Sequence, residues 1–406
     1  MILRLKAPPV DWSLLMVMFA LIVVGSCCLY STAAGSNQSV MNSEFSRQIL
    51  WFILGLLILI GVLYIPINVL YRSSYILYGI SLALLVAVLF LGSGDVHRWI
   101  RLGGFGFQPS ELAKISTILA VSRYIADGDE IRLRWKRFLG SLLLASPPLL
   151  LILKEPDVGT SFVFIFIWLT ICVWAGIEMR IIIFMLIPVF AFAAGFSQLT
   201  FIVFMFILIV TLVFLKQRLA LILSLTGVNF IIGLIAPALW SRLEPYQQQR
   251  ILIFLGMKSD PHGVAYQLIQ SKVAVGSGGI IGKGLLHGSQ TQLRFLPEQQ
   301  TDFIFTVLAE EMGFVGVIIL FGLFFMLFVK ILDIARKARN RFYTLVAVGS
   351  FSVLTFQFFI NIGMTVGLVP ITGLPLPFLS YGGSSLLVSM ILVGLAANVS
   401  GNKYKY

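Results

Sequence analysis

Charge is what this chain has least of. Only 11 % of its 406 residues are Asp, Glu, Lys or Arg, whereas soluble domains carry about a quarter, and 59 % are hydrophobic, with a mean hydropathy of +0.98. That balance excludes a soluble globule and makes the chain a polytopic, all-α membrane protein. Cysteine is scarce too. Cys27, Cys28 and Cys172 all fall within apolar runs, without the spacing of a disulfide framework or a thiolate metal site, so they read as packing residues.

Long hydrophobic runs are abundant. A helix needs about 20 apolar residues to cross about 30 Å of hydrocarbon. Candidate runs lie at roughly 12–33, 48–66, 73–92, 109–126, 138–153, 160–177, 180–197, 199–215, 219–240, 302–330, 343–369 and 384–399. Arg4 and Lys6 precede the first run and Thr32-Ala33-Ala34 imitates a cleavage site, but 12–30 exceeds a signal h-region and many similar runs follow, so it reads as the first span.

The basic residues orient the spans. With the N-terminus inside, alternate connections place 18 of the 29 Lys and Arg residues on the cytoplasmic side. Six more fall in the long connection 241–301, which is a weak reporter of orientation, and five (Arg47, Arg98, Arg101, Lys114 and Lys154) sit at other outer span ends. The positive-inside rule expects that asymmetry. Both termini are expected in the cytoplasm and 241–301 outside, in a single integral membrane domain of 1–406. The five outer cations can snorkel or bind an anion.

The most chemically loaded stretch is Tyr266–Glu311. It reads as a polar loop leading into Gly276–Gly284, passes Leu296-Pro297, and enters an apolar run at Thr301-Asp302-Phe303. Asp302 thus stands at a membrane threshold, and Glu310 and Glu311 follow about two helical turns deeper. Threshold and intramembrane charges are costly unless paired or hydrated, so they are functional candidates. Gly282-Lys283 does not make a phosphate loop, because Ser277 stands at the leading glycine position and Gly284 at the Ser/Thr position. The glycines read as tight turns, or as a close approach to a substrate headgroup.

Three further segments carry polar groups. Arg98-Trp99-Ile100-Arg101 precedes Gln108-Pro109-Ser110-Glu111-Leu112-Ala113-Lys114, where Pro109 opens a helix and Glu111 and Lys114 become i, i+3 neighbours. They read as an ion pair that also binds phosphate through Lys114. In Lys154–Ser161, Asp157 can cap the helix that opens near Thr160, but the cap is assigned first to Thr160 or Ser161, with Asp157 also balancing the basic group. Pro370, Gly373, Pro375, Pro377 and Ser380–Ser385 cannot form regular helix; irregular backbone at membrane depth must line a cavity or be buried in protein, so this segment closes one wall of a site.

RWIRLGGFGFQPSELAK, EPDVGTS, the 266–316 stretch and NIGMTVGLVPITGLPLPFLSYGGSS, in this order, resemble the SEDS family of shape, elongation, division and sporulation proteins. HGSQTQLRFLPEQQTDFIF is more similar to its RodA branch than to its FtsW branch. The resemblance covers most of the chain outside roughly 180–240.

It implies a peptidoglycan glycosyltransferase that polymerises lipid II, the undecaprenyl-diphosphate-linked disaccharide-pentapeptide, on the outer face of the bacterial inner membrane during elongation. The implied partners are a class B penicillin-binding protein and the elongation machinery, with no nucleic acid. The family's essential Asp matches Asp302, its QPSE-x-x-K residues match Glu111 and Lys114, and its PD-x-GTS Asp matches Asp157; Gln108, Ser110, Arg98 and Arg101 join them as candidate substrate contacts. A divalent cation, Mg or Mn, is an optional helper, for which no ligand cluster stands out. The family's ten-span pattern implies that this chain carries an extra two-span hairpin within about 180–240, for about twelve spans. Many spans and intramembrane charges also suit a lipid II flippase, but the candidate charges gather on the outer side and no inverted repeat is evident.

Overall fold

Away from water, a backbone can satisfy its own hydrogen bonds by coiling into helices, and this chain does so almost throughout. The computed structural model describes residues 11–34, 44–91, 98–102, 105–128, 135–254, 256–257 and 264–401. Helices α1 (Trp12–Ala34), α2 (Glu44–Tyr64) and α3 (Ile67–Leu91) lead to a short antiparallel hairpin of β1 (Ile100–Leu102) and β2 (Phe105–Phe107), with Ile100 opposite Phe107. Then come α4 (Pro109–Ala126), α5 (Trp135–Lys154), α6 (Val158–Trp174), α7 (Met179–Ala194), α8 (Gln198–Phe214), α9 (Leu219–Ser241) and the shorter α10 (Pro245–Phe254). The chain continues with α11 (Val264–Ser277), the one-turn α12 (Ser289–Gln292), α13 (Ile304–Lys337), α14 (Arg341–Val366) and α15 (Gly383–Gly401).

Among the described residues, eight helices are long and apolar enough to cross a membrane: α1, α2, α3, α5, α9, α13, α14 and α15. Three more, α6 to α8, are apolar but shorter. The chain is therefore an all-α polytopic membrane protein, with one small β hairpin that the sequence did not announce. One compact unit is built from α1–α6, the hairpin and α11–α15; the other consists of α7–α10. In that second unit α7 and α9 pack closely through Gly195, whose Cα hydrogens face the backbone of Gly233, while Phe201 and Phe230 stack across α8 and α9.

In the first unit the most polar helix is the innermost. α4 packs against α3, α5, α6, α14 and α15 and buries Ser110, Glu111, Lys114, Ser116, Thr117 and Ser122 along its length. Such a helix could not face lipid, and its neighbours shield it. Ser81 of α3 and Ser116 meet hydroxyl to hydroxyl at 2.6 Å, and Gly349 lets α14 sit directly on Ile118.

The segment 266–277, read as a polar loop, lies wholly within α11; it packs on α13 and α14, and Ser271 donates to the Thr365 carbonyl at 2.7 Å. The glycines that follow have a purpose inside the chain. α13 breaks at Gly313, whose φ of 63° is accessible to glycine at little cost. The break strands the carbonyls of Glu310 and Glu311 and the N–H groups of Phe314 and Val315. The 279–284 loop takes up all four: Lys283 and Gly284 donate to the carbonyls at 3.1 and 3.0 Å, and the N–H groups donate to Gly279 and Ile280 at 2.9 and 3.1 Å. A Cβ at Gly282 would lie 2.2 Å from the Glu311 oxygen. The close approach is thus to the chain's own broken helix.

Candidate active site

Asp302 sits in the turn just before α13. The N–H groups of Thr301, Asp302 and Phe303 all donate to the Glu298 carbonyl, at 3.2, 3.1 and 3.3 Å, so the turn is closed on itself. The N-cap position of α13 falls on Phe303, not on the carboxylate. Asp302 is half-buried and lines a cavity of about 600 Å³. Gln108 and Glu111 line the same space, together with Arg47 of α2 and the aromatic Trp51, Trp99 and Tyr381.

The irregular segment after α14 forms one wall, as the prolines and glycines imply. Gly373 and Pro375 line the cavity, and a Cβ at Gly373 would stand 3.4 Å from an Asp302 carboxylate oxygen. Two buried amides hold this wall. Asn361 donates to the carbonyls of Asp302 and Leu374; Gln48 donates to the Ser380 carbonyl at 3.2 Å and accepts from the Gly382 N–H at 3.3 Å. Ser380 adds a bond of 2.5 Å to the Thr301 carbonyl, and the Tyr381 N–H bonds Gln300 at 2.8 Å.

The remaining residues expected at the site divide into layers. Lys114 is fully buried and donates to Glu111 Oε1 at 2.6 Å, so only the carboxylate of that pair reaches the cavity wall. Ser110 is buried beside them, its hydroxyl without a protein partner. Arg98 reaches the turn between α5 and α6, donating to the carbonyls of Glu155 at 3.1 Å and Pro156 at 2.7 Å and lying 3.7 Å from Asp157. Asp157 is itself the N-cap of α6, accepting from the Thr160 N–H and hydroxyl at 3.0 Å each. This corrects the assignment of capping to Thr160 or Ser161: Thr160 is the donor, because the first-turn N–H is orphaned and the preceding carboxylate can reach it. Arg101 belongs to β1, and its side chain lies outside the described residues. Burial pushes the Glu155 carboxyl up to about 8, with the Asp157 charge raising it further and Arg98 opposing.

Glu310 and Glu311 are structural. Glu310 collects Lys283 at 2.8 Å, the N–H groups of Gln290 and Thr291 at 2.9 and 3.0 Å, and the Thr291 hydroxyl at 2.8 Å; Glu311 accepts from the Ser31 hydroxyl of α1. Their cost at membrane depth is offset by these bonds. Among the described residues no group of three or more His, Cys, Asp or Glu side chains stands together as a metal cage.

Gln48, Trp51 and Asn361 were not assigned to the site from sequence, whereas Arg47 was named only among the outer cations that could bind an anion, and Trp99 and Tyr381 only as members of the 98–101 and 380–385 segments. Gln48 and Asn361 did carry a signal, as amides inside apolar runs where polar side chains need interhelical partners. Trp51 carried none.

The cavity thus gathers two carboxylates, Asp302 and Glu111, and the cation Arg47. The sequence profile of the cell cycle proteins FtsW, RodA and SpoVE matches residues 10–201 and 181–405. The chain belongs to this family. Among relatives of the FtsW/RodA/SpoVE family, the peptidoglycan glycosyltransferase RodA of Treponema pallidum is 34% identical over 97% of this chain and 98% of its own. The peptidoglycan glycosyltransferase MrdB of Escherichia coli K12 is 36% identical over 96% and 93%. Of solved structures, a chain of a peptidoglycan synthase complex that coordinates polymerization and crosslinking superposes with a TM-score of 0.74 at 30% identity, covering 98% of this chain and 99% of that one. The rod shape determining protein RodA of Thermus thermophilus gives 0.65 at 26% identity over the same shares.

Proposed function

We propose that this chain is a peptidoglycan glycosyltransferase that polymerises lipid II at the outer face of the bacterial cytoplasmic membrane. Membership of the FtsW/RodA/SpoVE family and full-length relatives named peptidoglycan glycosyltransferases support the activity. The observation that carries the site is that Asp302, Glu111 and Arg47 line one cavity.

In the reaction, a sugar hydroxyl of one disaccharide attacks the anomeric carbon of the next, the bond from that carbon to the lipid diphosphate breaks, and the diphosphate leaves with the electron pair. Asp302 takes the hydroxyl proton. Arg47 meets the charge on the diphosphate, which is the kind of stabilisation that matters most where charge develops. Lys114 orients Glu111 from behind through its 2.6 Å bond, and Gln108 at the start of α4 is placed to contact substrate in the cavity, with Ser110 buried next to it. Arg98 and Asp157 hold the α5–α6 turn, and Arg101 of β1 is a further candidate substrate contact.

The reading further holds that about twelve helices cross the membrane with both termini in the cytoplasm, that 241–301 lies outside, and that a two-span hairpin within 180–240 is added to a ten-span core. The basic-residue asymmetry supports this orientation. A class B penicillin-binding protein is the crosslinking partner, supported by the likeness to a chain of a synthase complex. Purified protein given labelled lipid II, with and without such a partner, should produce a ladder of glycan polymer. Its absence under both conditions would refute the proposal.

A further inference from the structure

A second polar cavity, of about 280 Å³, lies where α3, α4 and α14 meet, lined by Asn68, Tyr71, Asp127, Asn340, Arg341 and Tyr343 among others. It is at the opposite end of α4 from the Asp302 cavity: Gln108 precedes the first residue of that helix, Asp127 follows its last, and 18 residues at about 1.5 Å each separate them by roughly 27 Å. Nothing in glycan polymerisation uses it.

The rim is built by arginines. Arg123 lies over the rings of Tyr71 and Tyr75, 4.6 and 4.4 Å from their centroids, and donates to the carbonyls of Tyr71 and Arg72. Arg137 donates to the Tyr124 and Asp127 carbonyls, and Arg341 to that of Gly128 at 3.1 Å. The one carboxylate lining the cavity, Asp127, is engaged by the Tyr71 hydroxyl and lies 3.9 Å from Arg123 Nε. The described residues 127, 128, 135–137 and 333–341 carry six basic and two acidic side chains, so the surroundings are cationic. The wall beside the cavity is different. Val69 and Ile76 of α3 are exposed and apolar, as a lipid-facing surface must be.

We propose that this cavity binds the glycerol-phosphate headgroup of an anionic phospholipid, with Arg341 meeting the phosphate, the amides and hydroxyls of Asn68, Asn340 and Tyr343 meeting the glycerol hydroxyls, and the acyl chains lying along α3. Basic pockets between membrane helices are suited to such headgroups. An amide and hydroxyl lining suits a hydroxylated headgroup better than a bare phosphate, and the exposed apolar residues of α3, the helix that supplies Asn68 and Tyr71, favour a lipid over a soluble anion.

The test is native mass spectrometry of the full chain released from mixed phosphatidylglycerol and phosphatidylcholine micelles, repeated with Arg341→Gln, Tyr343→Phe, Arg339→Gln and 50-fold excess inorganic phosphate. Selective retention of phosphatidylglycerol is expected. Arg341→Gln should weaken it by about fivefold, the order expected of one basic side chain near an anionic headgroup, whereas Arg339→Gln, an exposed neighbour on the same connection, should change it little. Tyr343→Phe, which keeps the ring, should reduce the preference even if Arg341→Gln fails to fold. Equal losses from Arg339→Gln and Arg341→Gln would mean diffuse surface charge and overturn the site. Displacement by inorganic phosphate would overturn the lipid assignment.

Discussion

One nitrogen of Asn361 donates both to the backbone carbonyl of Asp302, at 2.9 Å, and to that of Leu374, at 2.7 Å. A fully buried amide on α14 thus ties the turn that carries the carboxylate to the irregular wall opposite it. Replacing Asn361 with Leu leaves two carbonyls without a donor, at about 1–3 kcal/mol each. Polymer yield from labelled lipid II should collapse and the melting temperature should fall. Asn361→Leu with wild-type yield would show that the wall need not be fixed.

Asp302→Asn keeps the size of the side chain and removes the base. The turn depends on backbone bonds to Glu298, so melting should be unchanged while glycan polymer disappears and association with the partner persists. Near wild-type polymerisation by this variant would falsify Asp302 as the base.

Lys114→Met leaves the buried Glu111 carboxylate uncompensated, a change that costs about 3–5 kcal/mol in other buried pairs. Melting should drop sharply. Adding Glu111→Leu should restore stability, yet polymerisation should stay lost because the cavity then lacks its second carboxylate. Recovered activity in the double variant would reduce the pair to a structural one.

Glu155 is held protonated by burial, with its folded value near 8 against an ordinary value near 4.5. The fold therefore favours the protonated form: this stabilisation is complete below about pH 4.5 and is lost as pH rises toward 8, at up to about 1.4 kcal/mol per pH unit. Glu155→Gln should show a weaker fall in melting temperature than wild type between pH 5 and 8, with the gap level above that range. Parallel melting curves across pH would contradict it.

Orientation can be read with a membrane-impermeant thiol reagent on whole cells. Gly288 is unsuitable for a cysteine, since a Cβ there would lie 2.8 Å from Glu310; Leu293 is 65% exposed and serves instead. Leu293→Cys should be labelled from outside and Arg339→Cys should not, in a background with Cys27 replaced by Ser. The reverse pattern would invert the topology and remove Asp302 from the outer face.

The helices and the threshold carboxylate were legible because hydropathy and charge cost act residue by residue. Thr301-Asp302-Phe303 marks its own position, and the Pro/Gly pattern of 370–383 announces a wall. What failed to show was partnership across distance. The burial of Lys114 behind Glu111 depends on how α3, α5, α6, α14 and α15 surround α4, and the place of Arg47 in the cavity depends on a contact between α2 and the segment before α15. Asp157 both faces Arg98, as expected, and caps α6, a role given first to Thr160 or Ser161 because composition gives no means of choosing among three capping residues within five positions.

The seam at Gly313 also bears on the order in which the protein is made. The groups that complete the broken ladder belong to residues 279–284, which precede α13 in the chain, so they have left the ribosome before the helix they complete. When α13 emerges, the loop that completes it is already waiting, and the interrupted backbone need never pass through the bilayer with its polar groups bare.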